Sequence, residues 1–130
     1  MNRQRILHTM LRVGDMQRSV DFYTRVMGMH VLRTFDQPGE NYSLTFLGYG
    51  SESDTCVLEL TYNKGISQYT PGSGYGHLAI GVRDCVQACT DIRKQGGNVI
   101  REPGLLKGGD DFIAFVTDPD GYQIELIQTP

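Results

Sequence analysis

The chain carries an approximate copy of itself, and that repeat restricts its fold more than any other feature. With a shift of 69 residues, HTMLRVGDMQRSVDFYTRVMGMHV (8–31) falls on HLAIGVRDCVQACTDIRKQGGNVI (77–100). His8 then meets His77, Val13 meets Val82, Asp15 meets Asp84 and Gly28 meets Gly97, and Phe46 meets Phe115 further on. After a slip of three residues VLEL (57–60) falls on QIEL (123–126), which sets Glu59 on Glu125. One histidine and one glutamate per half are therefore equivalent.

Each half reads as one strand, one helix and three strands. The strand that carries the histidine is expected at 6–13 and at 76–82. Asp15 and Asp84 follow, placed to cap a helix by accepting from the unpaired N–H groups of its first turn. Met16, Val20, Tyr23 and Met27 recur at helical spacing and predict one apolar face. Gly28 and the pair Gly96-Gly97 end the two helices, where a left-handed residue is commonly required. The runs HVLRTF, YSLTFLGY and TCVLELTY, then NVIRE, FIAFVTD and YQIELIQ, read as strands. In DPDG (118–121) Pro119 is preset for the first corner of a turn and Gly121 is free to take positive φ. The expectation is an α+β fold of two tandem βαβββ modules, at 1–63 and 76–130, joined by a linker at 64–75. A module of about 60 residues is marginal alone, so the two are expected to share a core or exchange partners in a dimer. The Gly/Pro-rich stretch 102–111 reads as a flap or a plain loop.

Composition excludes several classes. At 130 residues the chain is one ordinary domain, and 39% hydrophobic with 21% charged residues describes a soluble globular protein. A net charge of −3 supplies no basic stripe for nucleic acid. No window approaches the roughly 20 apolar residues of a membrane span, and the opening MNRQRILHTMLRVGD has no long apolar run, so the cytoplasm is the expected home. Cys56, Cys85 and Cys89 form neither an even set nor a CxxC pair. Cys85 and Cys89 share a helical stripe with Ala88 and Ile92, which favours core packing over a metal pair.

Glu59 and Glu125 each interrupt an otherwise apolar strand, where an unpaired buried charge would cost far more than folding gains. Strand alternation sets His8, Met10 and Arg12 on one face, and Val57, Glu59, Thr61 and Asn63 on one face. His77 travels with the small Ala79 and Gly81, and Glu125 with Gln123 and Ile127. A pseudo-twofold between the repeats would bring the four polar side chains together. A divalent cation then resolves the glutamates: two carboxylates neutralise it and two imidazoles complete the protein shell. In an octahedral sphere two positions would stay open for water or substrate, which marks a catalytic site. His30 has no counterpart and reads as a surface residue. Tyr62, Tyr69 and Tyr75 read equally as pocket lining or core.

The segments LHTMLRVGDMQRSVDFYT (7–24), ELTYN (59–63), YGHLAI (75–80), GGNV (96–99) and FIAFVTDPDGYQIEL (112–126) resemble the bacterial glyoxalase I family within the vicinal oxygen chelate superfamily. The resemblance covers nearly the whole chain. It implies the glyoxalase/bleomycin-resistance-like fold, with curved mixed sheets around a metal site. It also implies a homodimer with each site shared between the first half of one chain and the second half of the other. Family metal ligands map onto His8, Glu59, His77 and Glu125, and glutathione contacts onto Arg12, Asn63 and Arg101, with Lys107 as a further candidate. The implied substrate is the hemithioacetal of glutathione and methylglyoxal, isomerised through an enediolate to S-lactoylglutathione. Glu125 is implied as the base and Glu59 as its pseudo-symmetric partner. Members with histidine at position 8 and a short chain resemble the nickel- or cobalt-activated type, whereas some with glutamine there use zinc. The eukaryotic type has an arginine shortly before the third ligand; here Ser73 stands in that place, so glutathione must be gripped differently.

Other activities occur on such folds. A thiol transferase or ring-cleaving dioxygenase typically uses two His and one Glu, and the fourth ligand Glu59 speaks against both. A binding module would generally lack the ligands. An acyl-thioester epimerase uses similar proton chemistry and is the alternative.

Overall fold

A computed structural model describes residues 3–129. The chain divides into two compact units, the first running to Tyr69 and the second starting at Thr70. Each unit contains one four-stranded mixed sheet and one helix.

The first unit comprises β1 (His8–Arg12), α1 (Met16–Asp21), β2 (His30–Asp36), β3 (Tyr42–Gly48) and β4 (Val57–Asn63), in sheet order β1-β4-β3-β2. β1 lies parallel to β4, with Met10 opposite Glu59 and Arg12 opposite Thr61; the other pairs are antiparallel. The second unit repeats this with β5 (His77–Val82), α2 (Cys85–Lys94), β6 (Asn98–Leu105), β7 (Phe112–Thr117) and β8 (Gln123–Gln128), in order β5-β8-β7-β6. β5 is parallel to β8, with Ala79 opposite Glu125. Both histidine strands are shorter at the front than the sequence suggested, starting at His8 and His77.

Both helices begin where a carboxylate can cap them. Asp15 Oδ1 accepts from the Arg18 N–H at 3.0 Å, and Asp84 Oδ1 accepts from the Gln87 N–H at 3.0 Å. The first helix departs from regular periodicity. After Asp21 it widens into a π-helical turn, Phe22–Val26, in which the Met27 N–H reaches back five residues to the Phe22 carbonyl. This turn buries Phe22 beside Tyr23, ring edge to ring face at 5.1 Å, whereas Met16 and Val20 stay half-buried. Gly28 then takes φ +77°, ending the element as expected.

In each sheet one set of alternating residues is buried, and the other mixes buried side chains such as Phe46, Val57 and Ile113 with more open ones. Leu11, Leu58 and Leu60 in the first unit, and Ile80, Ile124 and Leu126 in the second, form the buried sets. Cys85, Cys89 and Ile92 of α2 join the second set, and burial pushes both thiols above their ordinary range, so they stay protonated and inert. The two glutamates belong to the opposite face. Both are only partly buried there, on the face that strand alternation assigned them. Leu60 is fully buried, and Leu60→Ala is expected to cost about 2–5 kcal/mol of stability, read as a lower denaturant midpoint at constant slope.

The stretch 102–111 differs from expectation. β6 runs through Leu105, with Gly104 opposite Ile113, so only a short hairpin tip remains. The tip is closed by the Leu106 N–H donating to the Asp111 carbonyl at 2.8 Å. The DPDG turn forms as read: Gly121 has φ +90°, and the buried Asp118 carboxylate accepts from the Asp120 and Tyr122 N–H groups.

Candidate metal centre

His8 and Glu59 meet because β1 and β4 are parallel neighbours and the two residues share a face. His8 Nε2 stands 2.9 Å from Glu59 Oε1, and in the second unit His77 Nε2 stands 3.1 Å from Glu125 Oε1. Each histidine side chain is about 40% exposed and each carboxylate far less, at 13% and 14%. The donor atoms thus face outward from a partly desolvated floor.

The spacing fits a shared cation. Two donors each about 2.1 Å from one ion and at right angles to each other stand about 3.0 Å apart. Both pairs meet that value within 0.1 Å. The structure brings the four predicted ligands together as two pairs, one per unit. Among the described residues, no group of three or more His, Cys, Asp and Glu side chains is placed to hold a metal.

The surroundings repeat as well. The Phe46 ring meets the His8 ring edge-on at 5.5 Å, and Phe115 meets His77 in the same way at 5.2 Å. Opposite each phenylalanine stands an arginine just after an irregularity in the edge strand: Arg33 faces Phe46 and Arg101 faces Phe115. The Arg33 guanidinium lies over the Phe46 ring at 3.8 Å and binds the Glu52 carboxylate through two hydrogen bonds, of 2.7 and 3.1 Å. That contact holds the Glu52 carboxyl below its usual range. Arg33 went unnoticed in the sequence because it is offset by one residue from Arg101 in the alignment that matches the histidines.

Arg101 stands opposite Phe115 but is engaged otherwise. Its guanidinium donates to the carbonyls of Glu102, Gly104, Leu105 and Ile113 at 3.0–3.1 Å, which accounts for β6 continuing past Pro103. Arg12 is exposed at the end of β1, on the His8 face. Asn63 ends β4 on the Glu59 face, and its side-chain amide donates to the Tyr69 hydroxyl at 3.0 Å. Lys107 is exposed in the hairpin tip, and His30 is exposed on edge strand β2.

Residues 5–126 match the model of the Glyoxalase/Bleomycin resistance protein/Dioxygenase superfamily, and the chain belongs to that family. Within it the chain is 59% identical over 124 residues to lactoylglutathione lyase of Escherichia coli O157:H7, covering 95% of this chain and 92% of that protein. Among solved structures, glyoxalase I from Zea mays superposes with a TM-score of 0.92 at 47% identity; the match covers 96% of this chain and 44% of the maize chain. This chain thus spans less than half of the maize protein. The glyoxalase I of Leishmania major, described as trypanothione-dependent, superposes with a TM-score of 0.85 at 50% identity, covering 96% of this chain and 86% of that one.

Proposed function

We propose that the chain catalyses metal-dependent isomerisation of the glutathione–methylglyoxal hemithioacetal to S-lactoylglutathione, and so detoxifies methylglyoxal. The observation that carries this reading is the doubled His–Glu pair at the spacing of neighbouring ligands of one ion. Its similarity to lactoylglutathione lyases supports the reaction assigned. One pair offers only two donors, whereas a divalent cation takes four to six. We therefore assign His8 and Glu59 of one chain and His77 and Glu125 of a second to each site, in a cytoplasmic homodimer. Residues 1–63 and 76–130 are the functional halves in this reading, with 64–75 as their connection. Nickel is the proposed metal, with cobalt as an effective substitute and zinc a poor one.

When bound, the cation supplies Lewis acidity to the substrate's adjacent oxygens. The chain's residues do the rest. Glu125 takes the proton from the carbon bearing sulfur, giving an enediolate, and returns it to the neighbouring carbon, while the hydroxyl proton of the sulfur-bearing carbon passes to the neighbouring oxygen; two hydrogens change place, the thioester carbonyl forms and nothing is lost. Glu59 occupies the equivalent position for the other hemithioacetal stereoisomer. Arg12, Asn63 and Lys107 hold the tripeptide. Arg101 contributes less to that grip, because backbone carbonyls occupy much of its guanidinium.

The test is isomerase activity on methylglyoxal plus glutathione, using metal-stripped protein reloaded separately with nickel, cobalt, zinc and magnesium. Strong turnover with nickel and cobalt and little with zinc is expected. Stoichiometric metal uptake without turnover in any form would overturn the reaction and direct attention to acyl-thioester epimerisation.

A further inference from the structure

The two carboxylates of the repeat are held differently. Glu59 uses Oε1 toward His8, and its Oε2 accepts a hydrogen bond from Thr61 Oγ1 at 3.0 Å. Thr61 is only 8% exposed, so water competes weakly for that hydroxyl. Glu125 also uses Oε1 toward its histidine, but the residue two positions on is Ile127. Register makes the two positions equivalent: Thr61 lies opposite Arg12 and Leu44, and Ile127 lies opposite Gly81 and Ile113, each one alternation beyond the glutamate. An isoleucine side chain cannot donate. Among the described residues, Glu59 has a partner at both oxygens and Glu125 at Oε1 only.

We infer that Thr61 is a positioning residue: its hydroxyl locks Glu59 in a single orientation, and the lack of a counterpart at Ile127 leaves Glu125 as the carboxylate able to turn. This rests on the metal-site reading above. It explains why two carboxylates at equivalent positions can differ in the ease of proton transfer, Glu59 serving its stereoisomer more slowly than Glu125 serves its own. A base must swing between taking a proton and giving it back, and a pinned carboxylate must first break a charge-assisted hydrogen bond. A ligand gains from the same bond, because partners that orient a ligand typically contribute 10–100-fold to metal affinity.

Three variants of the full chain test this. Thr61→Val removes the hydroxyl and keeps the shape, Thr61→Ser keeps the hydroxyl, and Ile127→Thr offers Glu125 the bond it lacks. The readouts are Co2+ affinity of stripped protein, the visible absorption spectrum of the Co2+-loaded form, and kcat and KM with the hemithioacetal. Thr61→Val is expected to bind Co2+ about tenfold more weakly, with shifted absorption bands, and Thr61→Ser to match the wild type. Ile127→Thr is expected to lower kcat and leave KM unchanged. Wild-type affinity and spectrum in Thr61→Val would overturn the inference alone. Equal impairment in Thr61→Ser would do the same, because packing rather than the hydroxyl would then be responsible. A wild-type protein that takes up no Co2+ would overturn the metal-site reading itself.

Discussion

Glu125→Gln is expected to fold normally, retain the ability to bind metal and lose turnover by about 10²- to 10⁴-fold, the usual contribution of a positioned acid–base group. Glutamine has nearly the same shape as glutamate, so contacts around a side chain that is 14% exposed survive the change. Its amide oxygen can still face His77 and a cation, though without charge it binds the cation less tightly. What disappears is the ability to accept and return a proton. Thermal unfolding, metal stoichiometry and kcat measured on the same preparation separate these effects. Near-normal turnover in a folded, loaded variant would remove Glu125 from the role of base.

Gly14→Ala is expected to cost about 2–3 kcal/mol, although it adds one methyl group and lies outside the proposed chemistry. Gly14 sits between β1 and α1, and a Cβ there would lie 2.0 Å from the Ser67 carbonyl oxygen and 2.7 Å from its carbon. Those are backbone atoms, so no rotamer change relieves the clash. The chain around Ser67 must shift instead, and it is tied on both sides. The Lys64 N–H donates to the Asn41 carbonyl and the Ile66 N–H to the Asn63 carbonyl, while Tyr69 accepts from the Asn63 side chain. A shift there disturbs Asn63 as well, so KM for the hemithioacetal should rise in the surviving protein. A melting temperature lower by on the order of 10 °C is the expected stability readout. An unchanged melting temperature would mean that the 64–69 segment yields freely.

The two His–Glu pairs were legible because the two rules that place them are rigid. A repeat makes positions equivalent, and the twofold alternation of a strand assigns each side chain to a face; together these put His8 with Glu59 and His77 with Glu125. Capping by Asp15 and Asp84 was legible for a similar reason, since it depends on residues three apart. Other features depend on contacts distant in sequence. The π-turn at Phe22–Val26 shifts a helix by one residue, and an i, i+4 reading cannot register that. β6 persists through a Pro-Gly pair because the Arg101 guanidinium satisfies its carbonyls from the side, which local propensity does not encode. Whether a glutamate in an apolar run faces a core or the open side of a sheet is also undecided until the helix has covered one face.

The arginines opposite Phe46 and Phe115 give the two copies unequal durability. Arg33 is fastened by a carboxylate, and a carboxylate can be neutralised by acid, screened by salt or displaced by a stronger anion. Arg101 is fastened by amide oxygens, which none of these agents removes. Acid or salt can therefore loosen the Arg33 contact over Phe46 while leaving the Arg101 carbonyl contacts intact. One half of this duplicated molecule is an adjustable fitting and the other is a permanent one.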